Sequence, residues 1–140
     1  MSGTAALTVE QLQEFLMRAP YHRWLGLKAE SVGPGTVRIR ATWREEWVVH
    51  PERRYTHGGI LAALIDLTAD WAIGAQLGRG IPTIDMRVDY HRAAMPGDLV
   101  CEGKIIRQGA QFSVAEATIH DVDEKLCASG RGVFLSATKG

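Results

Sequence analysis

The chain has 140 residues, with 16 Lys+Arg balanced by 16 Asp+Glu and a formal net charge of zero. No global basic field is therefore present to draw in nucleic acid or an anionic membrane surface, and little repulsion opposes self-association. Hydrophobic residues make up 46% and charged residues 23%, as in an ordinary soluble domain with one sizeable core.

Thr8-Val9-Glu10-Gln11 fits a capping box, followed at helical spacing by Leu12, Phe15 and Leu16. This predicts a short first helix closed by Pro20, with Tyr21 to Trp24 as a loop. Leu27–Val32 and Thr36–Trp43 read as strands around the turn Gly33-Pro34-Gly35, the second with Val37, Ile39 and Ala41 alternating against Arg38, Arg40 and Thr42. Arg44–Thr56 is a long, mostly polar loop, and long ordered loops tend to be functional.

A helix is predicted from Gly58 to Leu77, ended by Gly78-Arg79-Gly80. Its apolar residues fall on nearly every side, which implies burial all round. Asp66 interrupts this run. A carboxylate in such a place is costly unless it is paired or hydrogen-bonded, and groups held at that cost often have a job. The alternative for Asp66 is a satisfied structural carboxylate.

From Pro82 the period switches to two. Four strands are expected: Ile84–Tyr90, Leu99–Gln108, Phe112–His120 and Leu126–Leu135, separated by Pro96-Gly97-Asp98, Gly109-Ala110 and Asp121–Glu124. Their links are short, so successive strands should pair antiparallel. The fold class expected is α+β, a curved antiparallel sheet wrapped around one long helix. One domain spans 1–140, with 1–21 as N-terminal helix and loop and 22–136 as core; the last few residues should be loose. Cys101 and Cys127 lie in strand-like runs without metal-like spacing, which points to free thiols in a reducing compartment. There is no basic-then-apolar leader pattern and no run is expected to reach transmembrane length, so the expected location is cytoplasmic and no membrane partner is expected. The histidines at 22, 50, 57, 91 and 120 form no ligand-like cluster, so no metal is expected.

These residues together resemble a known family. His57-Gly58-Gly59 opening a long helix, with an acid nine positions after the His, looks like the hotdog-fold acyl-CoA thioesterases, and most like their phenylacetate-pathway type. Pro82–Tyr90, Ala93–Asp98 and Asp121–Ala128 resemble that family's following strand, turn and last hairpin, and the likeness covers about residues 22 to 136. It implies a hotdog fold, hydrolysis of a coenzyme A thioester and no cofactor. It also implies a homodimer whose sheets join edge to edge, often a dimer of dimers, with the active site between subunits.

That chemistry needs an oxyanion donor and a base or nucleophile. Backbone N–H groups at a helix start lack intrahelical partners and sit at its positive end, so Gly58 and Gly59 can be the donors. Asp66 can be nucleophile or general base, with a pKa that burial should raise. The two ends are eight positions apart, about 12 Å along one helix, so Gly58 of one subunit should serve Asp66 of another. Thr83 takes over from relatives a role in positioning water or the carboxylate; its alternative is a strand-favouring β-branched residue. His57 either orients the loop or contacts the thioester. Asp70, one turn beyond Asp66 and about 40° round the helix, lines the acyl pocket or reaches solvent.

Relatives commonly place Asn or Gln six residues before the motif His, where this chain has Pro51. Either His50 or Glu52 takes that substrate-binding role or it is vacant. Arg53, Arg54, Arg92, Arg107 and Arg131 are candidates for the nucleotide end of coenzyme A, with none singled out. Trp47 and Tyr55 favour a bulky acyl group or pack an interface. The competing functions are a hotdog hydratase or dehydratase using His57 and Asp66, and a non-catalytic acyl-CoA binding protein.

Overall fold

The computed structural model describes residues 6–138; the expected loose end falls partly on residues 139–140, outside them. The helix α1 (Val9–Leu16) starts at Thr8, whose side chain accepts the Gln11 N–H while Gln11 reaches back, completing the capping box. Tyr21–Trp24 is not a loop. Pro20 begins a second short helix, α2 (Pro20–Trp24), because proline at the first helical position loses no needed hydrogen bond.

Strands β1 (Leu27–Gly33) and β2 (Thr36–Ala41) form the expected hairpin, and a short 3-10 turn (Glu45–Trp47) opens the polar loop. Helix α3 runs from Gly58 to Leu77, capped by Gly78 in the left-handed region (φ 80°). Strands β3 (Thr83–Tyr90), β4 (Leu99–Arg107), β5 (Phe112–His120) and β6 (Leu126–Leu135) complete a six-stranded sheet of order β1-β2-β4-β5-β6-β3. One expectation fails here. Strand β3 pairs with β6 and not with its sequence neighbour β4. The link after Tyr90 crosses the end of the sheet, tied by the N–H groups of His91 and Arg92 to the Cys127 carbonyl and by the Ala94 carbonyl to the Thr56 N–H.

The concave face of the sheet closes on α3. Leu64, Ile65, Ala72 and Ile73 of α3 are fully buried, as are Ile39, Cys101, Ala115, Ile119 and Phe134 of the sheet. By length and composition α3 could cross a bilayer, which corrects the expectation that no run would; here it is the core element, and packing rather than length decides its place. Two glycines allow this close approach. A Cβ at Gly103 would lie 2.5 Å from the Thr68 carbonyl oxygen, and one at Gly130 would lie 2.6 Å from Ile65 Cγ2.

The two sheet edges differ. At β1, Gln13 of α1 donates to the Leu27 carbonyl and accepts the Ala29 N–H, so a side chain satisfies the strand's outer backbone groups. At β3, among the described residues, no element covers the outer edge, and Ile84 and Tyr90 are more than half exposed.

Candidate active site

The opening of α3 is held from three sides. The His57 N–H donates to the Trp47 carbonyl, the Thr56 N–H to the Ala94 carbonyl, and the Tyr90 hydroxyl to the Gly58 carbonyl at 2.9 Å. His57 is the N-cap, and its Nδ1 accepts the Gly59 N–H at 2.8 Å. With Nδ1 accepting, Nε2 is the ring nitrogen left to act as donor. The bond also revises the expected pair of donors: the Gly59 N–H is engaged by the ring, whereas the Gly58 N–H meets no acceptor among the described residues. Gly58 borders a cleft of about 370 Å³ that is also lined by Tyr55, Leu61, Tyr90, Arg92 and Ala94.

At the other end, Asp66 is half-buried and accepts a 2.6 Å hydrogen bond on Oδ1 from the Thr83 hydroxyl. A hydroxyl-to-carboxylate bond of this length is a strong, charge-assisted one. It holds the carboxylate and leaves Oδ2 available. Asp66 and Thr83 are therefore brought together by the start of β3. Asp70 faces the same stretch: its Oδ1 accepts the Ile81 N–H at 3.2 Å. Burial, and after it the Ile81 hydrogen bond acting in opposition and the Asp66 charge, leave the Asp70 carboxyl pushed up to about 7.

No pattern in the sequence singles out His22. On α2 it is half-buried, its Nδ1 is enclosed without a partner among the described residues, and Asp66 acts on its charge. Burial lowers its pKa, opposed by the Leu16 backbone and by Asp66, so the ring is neutral at pH 7.

Other expectations resolve differently. His50 spends Nδ1 on the Glu52 and Arg53 N–H groups of its own turn, and Glu52 is exposed. Trp47 is fully buried, so it packs the core and is available neither to an acyl group nor to an interface. Arg54 forms a two-pronged, solvent-exposed pair with Glu45 at 2.7 and 2.8 Å. Cys101 is enclosed and its thiol is pushed up to about 12 by burial, so it supplies no thiolate nucleophile. No group of His, Cys, Asp and Glu able to hold a metal occurs among the described residues.

One long helix wrapped by a six-stranded antiparallel sheet defines the hotdog class. The family model described as Thioesterase superfamily matches residues 54–128, from the opening of α3 into β6, and the chain belongs to that superfamily. A solved structure of a protein described as from the thioesterase superfamily is 45% identical, with a TM-score of 0.89 over 91% of this chain and 96% of that one. A provisionally named esterase of Halobacterium salinarum is 33% identical over 79% of this chain and 80% of its own length. The medium/long-chain acyl-CoA thioesterase YigI of Salmonella typhimurium is 25% identical over 94% of this chain and 98% of its own.

Proposed function

We propose that the chain hydrolyses an acyl-CoA thioester, with Asp66 as the catalytic carboxylate and the Gly58 N–H of a partner subunit as the oxyanion donor. The observation that carries this reading is the Thr83–Asp66 hydrogen bond beside an open sheet edge, with the unengaged Gly58 N–H at the far end of the same strand. Strand β3 connects the two half-sites, since Thr83 reaches Asp66 and Tyr90 reaches Gly58. If two copies pair antiparallel along β3, the Thr83 end of one lies beside the Tyr90 end of the other. Each carboxylate then meets the other chain's Gly58, which overcomes the roughly 12 Å that separates the two along a single helix. The homodimer is the minimum unit this site requires, and a dimer of dimers is compatible with it.

In the reaction, Asp66 Oδ2 either takes a proton from water while the water oxygen bonds to the carbonyl carbon, or itself bonds to that carbon. The oxyanion that forms accepts from the Gly58 N–H, and its collapse breaks the C–S bond and expels the coenzyme A thiolate, which takes up the proton. In the second route water then cleaves the Asp66–acyl anhydride, releasing the acid and restoring the carboxylate. Both the name of YigI and the likeness to the phenylacetate-pathway type support a coenzyme A ester as substrate. The acyl group is to be read from a panel spanning acetyl, medium-chain, benzoyl and phenylacetyl thioesters. Purified protein should release free thiol from at least one of them, and Asp66→Asn should lower kcat about a hundred- to ten-thousandfold, the usual worth of a positioned general base. Loss of enoyl absorbance without thiol release would instead identify a hydratase, and saturable binding without turnover a binding protein.

A further inference from the structure

Helix α3 sets two carboxylates, not one, against the stretch that begins β3. Thr83 donates to Asp66 Oδ1 at 2.6 Å, and two residues earlier the Ile81 N–H donates to Asp70 Oδ1 at 3.2 Å. Between them Pro82 has no N–H to offer, and its carbonyl is already taken by the Leu135 N–H of β6. Polar contact from Ile81–Thr83 to α3 therefore consists of these two bonds among the described residues. The link preceding them is short: α3 ends at Leu77, and the Arg79 guanidinium is drawn away to the Ser136 carbonyl at 2.7 Å.

We infer that Asp70 is a positioning residue for the Asp66–Thr83 pair: by accepting the Ile81 N–H it fixes how closely the start of β3 lies on α3, and so whether the Thr83 hydroxyl reaches Asp66. The inference rests on the reading of Asp66 as the catalytic carboxylate. A carboxylate is an expensive way to hold one N–H here. Burial and the nearby Asp66 both oppose its charge, so fold stability alone does not account for it. Its distance from Ile81 and its place one turn beyond Asp66 make it a second anchor on the same rigid helix. Rigid helices hold such constellations better than loops do.

The test is a cycle of Asp70→Ala, Asp70→Asn and Thr83→Ala, with thiol release measured on the best panel substrate. Asp70→Ala should lower kcat about tenfold with KM within about twofold, the signature of an interaction that serves the transition state. Asp70→Asn, which keeps an acceptor oxygen, should restore kcat to within about threefold of wild type. In the Thr83→Ala background Asp70→Ala should cost nothing further, because coupled residues are not additive. Where Asp70→Ala does not fold, Asp70→Ser, whose hydroxyl is too short to reach Ile81, replaces it. Amide exchange gives a readout independent of turnover: Ile81 and Thr83 should exchange about tenfold or more faster in Asp70→Ala than in wild type or Asp70→Asn. Full activity in Asp70→Ala, an undiminished loss in the Thr83→Ala background, or unchanged exchange at Ile81 each overturns the inference. If the wild-type protein releases no thiol at all, the catalytic reading fails, and the exchange pattern alone decides whether Asp70 anchors the strand.

Discussion

Burial and the neighbouring Asp66 lift the Asp70 carboxyl from its ordinary 3.8 to about 7 in the folded chain. The unfolded chain gives up that proton near pH 4, whereas the folded chain keeps it to neutrality. The stabilisation from the protonated form is therefore complete below about pH 4 and is lost as pH rises through 7. At 1.36 kcal/mol per pH unit, the difference amounts to roughly 4 kcal/mol. Asp70→Asn should remove this dependence and be more stable than wild type at pH 8. Urea midpoints of both proteins at pH 5 and pH 8 test it; parallel shifts in the two would show that Asp70 carries no such load. The residues differ in how visible they were in sequence. Asp66 stood out because a carboxylate interrupts an apolar run. Thr83 came only by resemblance, since a threonine opening a strand is unremarkable. His22 sat among aromatic and basic residues with no pattern, and its relation to Asp66 exists only once α2 folds back toward α3. That the Gly59 N–H would be taken by His57 depends on one side-chain rotation, which spacing does not encode.

Element boundaries were legible where periodicity was strong. The ends of α3 are marked by Gly58-Gly59 and by Gly78-Arg79-Gly80, and the strands after it alternate clearly. The five-residue α2 carries too few residues to show a period, so its sequence reads as loop. The placement of β3 was not legible either. A short link suggests an antiparallel neighbour, but curvature around α3 brings β6 to β3 and β2 to β4. What lets the sheet curve this tightly is missing side chains at Gly103 and Gly130. Adding a methyl at Gly103 places it against the Thr68 backbone carbonyl, an atom that cannot swing aside. Gly103→Ala should therefore destabilise by about 1–3 kcal/mol, the usual cost of overpacking a core. A thermal midpoint unchanged from wild type would mean that the helix rides more loosely on β4 than these distances imply.

The two sheet edges offer a second copy of the chain different surfaces. Gln13 closes the β1 edge with its amide, while β3 presents unpaired backbone and exposed Ile84 and Tyr90. An open, partly apolar edge is a template for another strand, and pairing at β3 would join the two kinds of half-site. The arrangement is testable because each half can be disabled separately. Asp66→Asn removes the carboxylate function. Gly58→Pro removes the N–H, and proline suits the first helical position. It is also compatible with the preceding His57 at φ −57° and ψ 132°, while a Cβ there meets only ordinary contact with Tyr90 at 3.5 Å. Each variant alone should be inactive, since every site in its homodimer lacks one part. When the two are unfolded together and refolded as an equal mixture, half of the dimers are mixed, and each mixed dimer holds one intact site. Activity should then return to about a quarter of the wild-type value. A site contained within one chain predicts no recovery, because no subunit in the mixture carries both Asp66 and the Gly58 N–H.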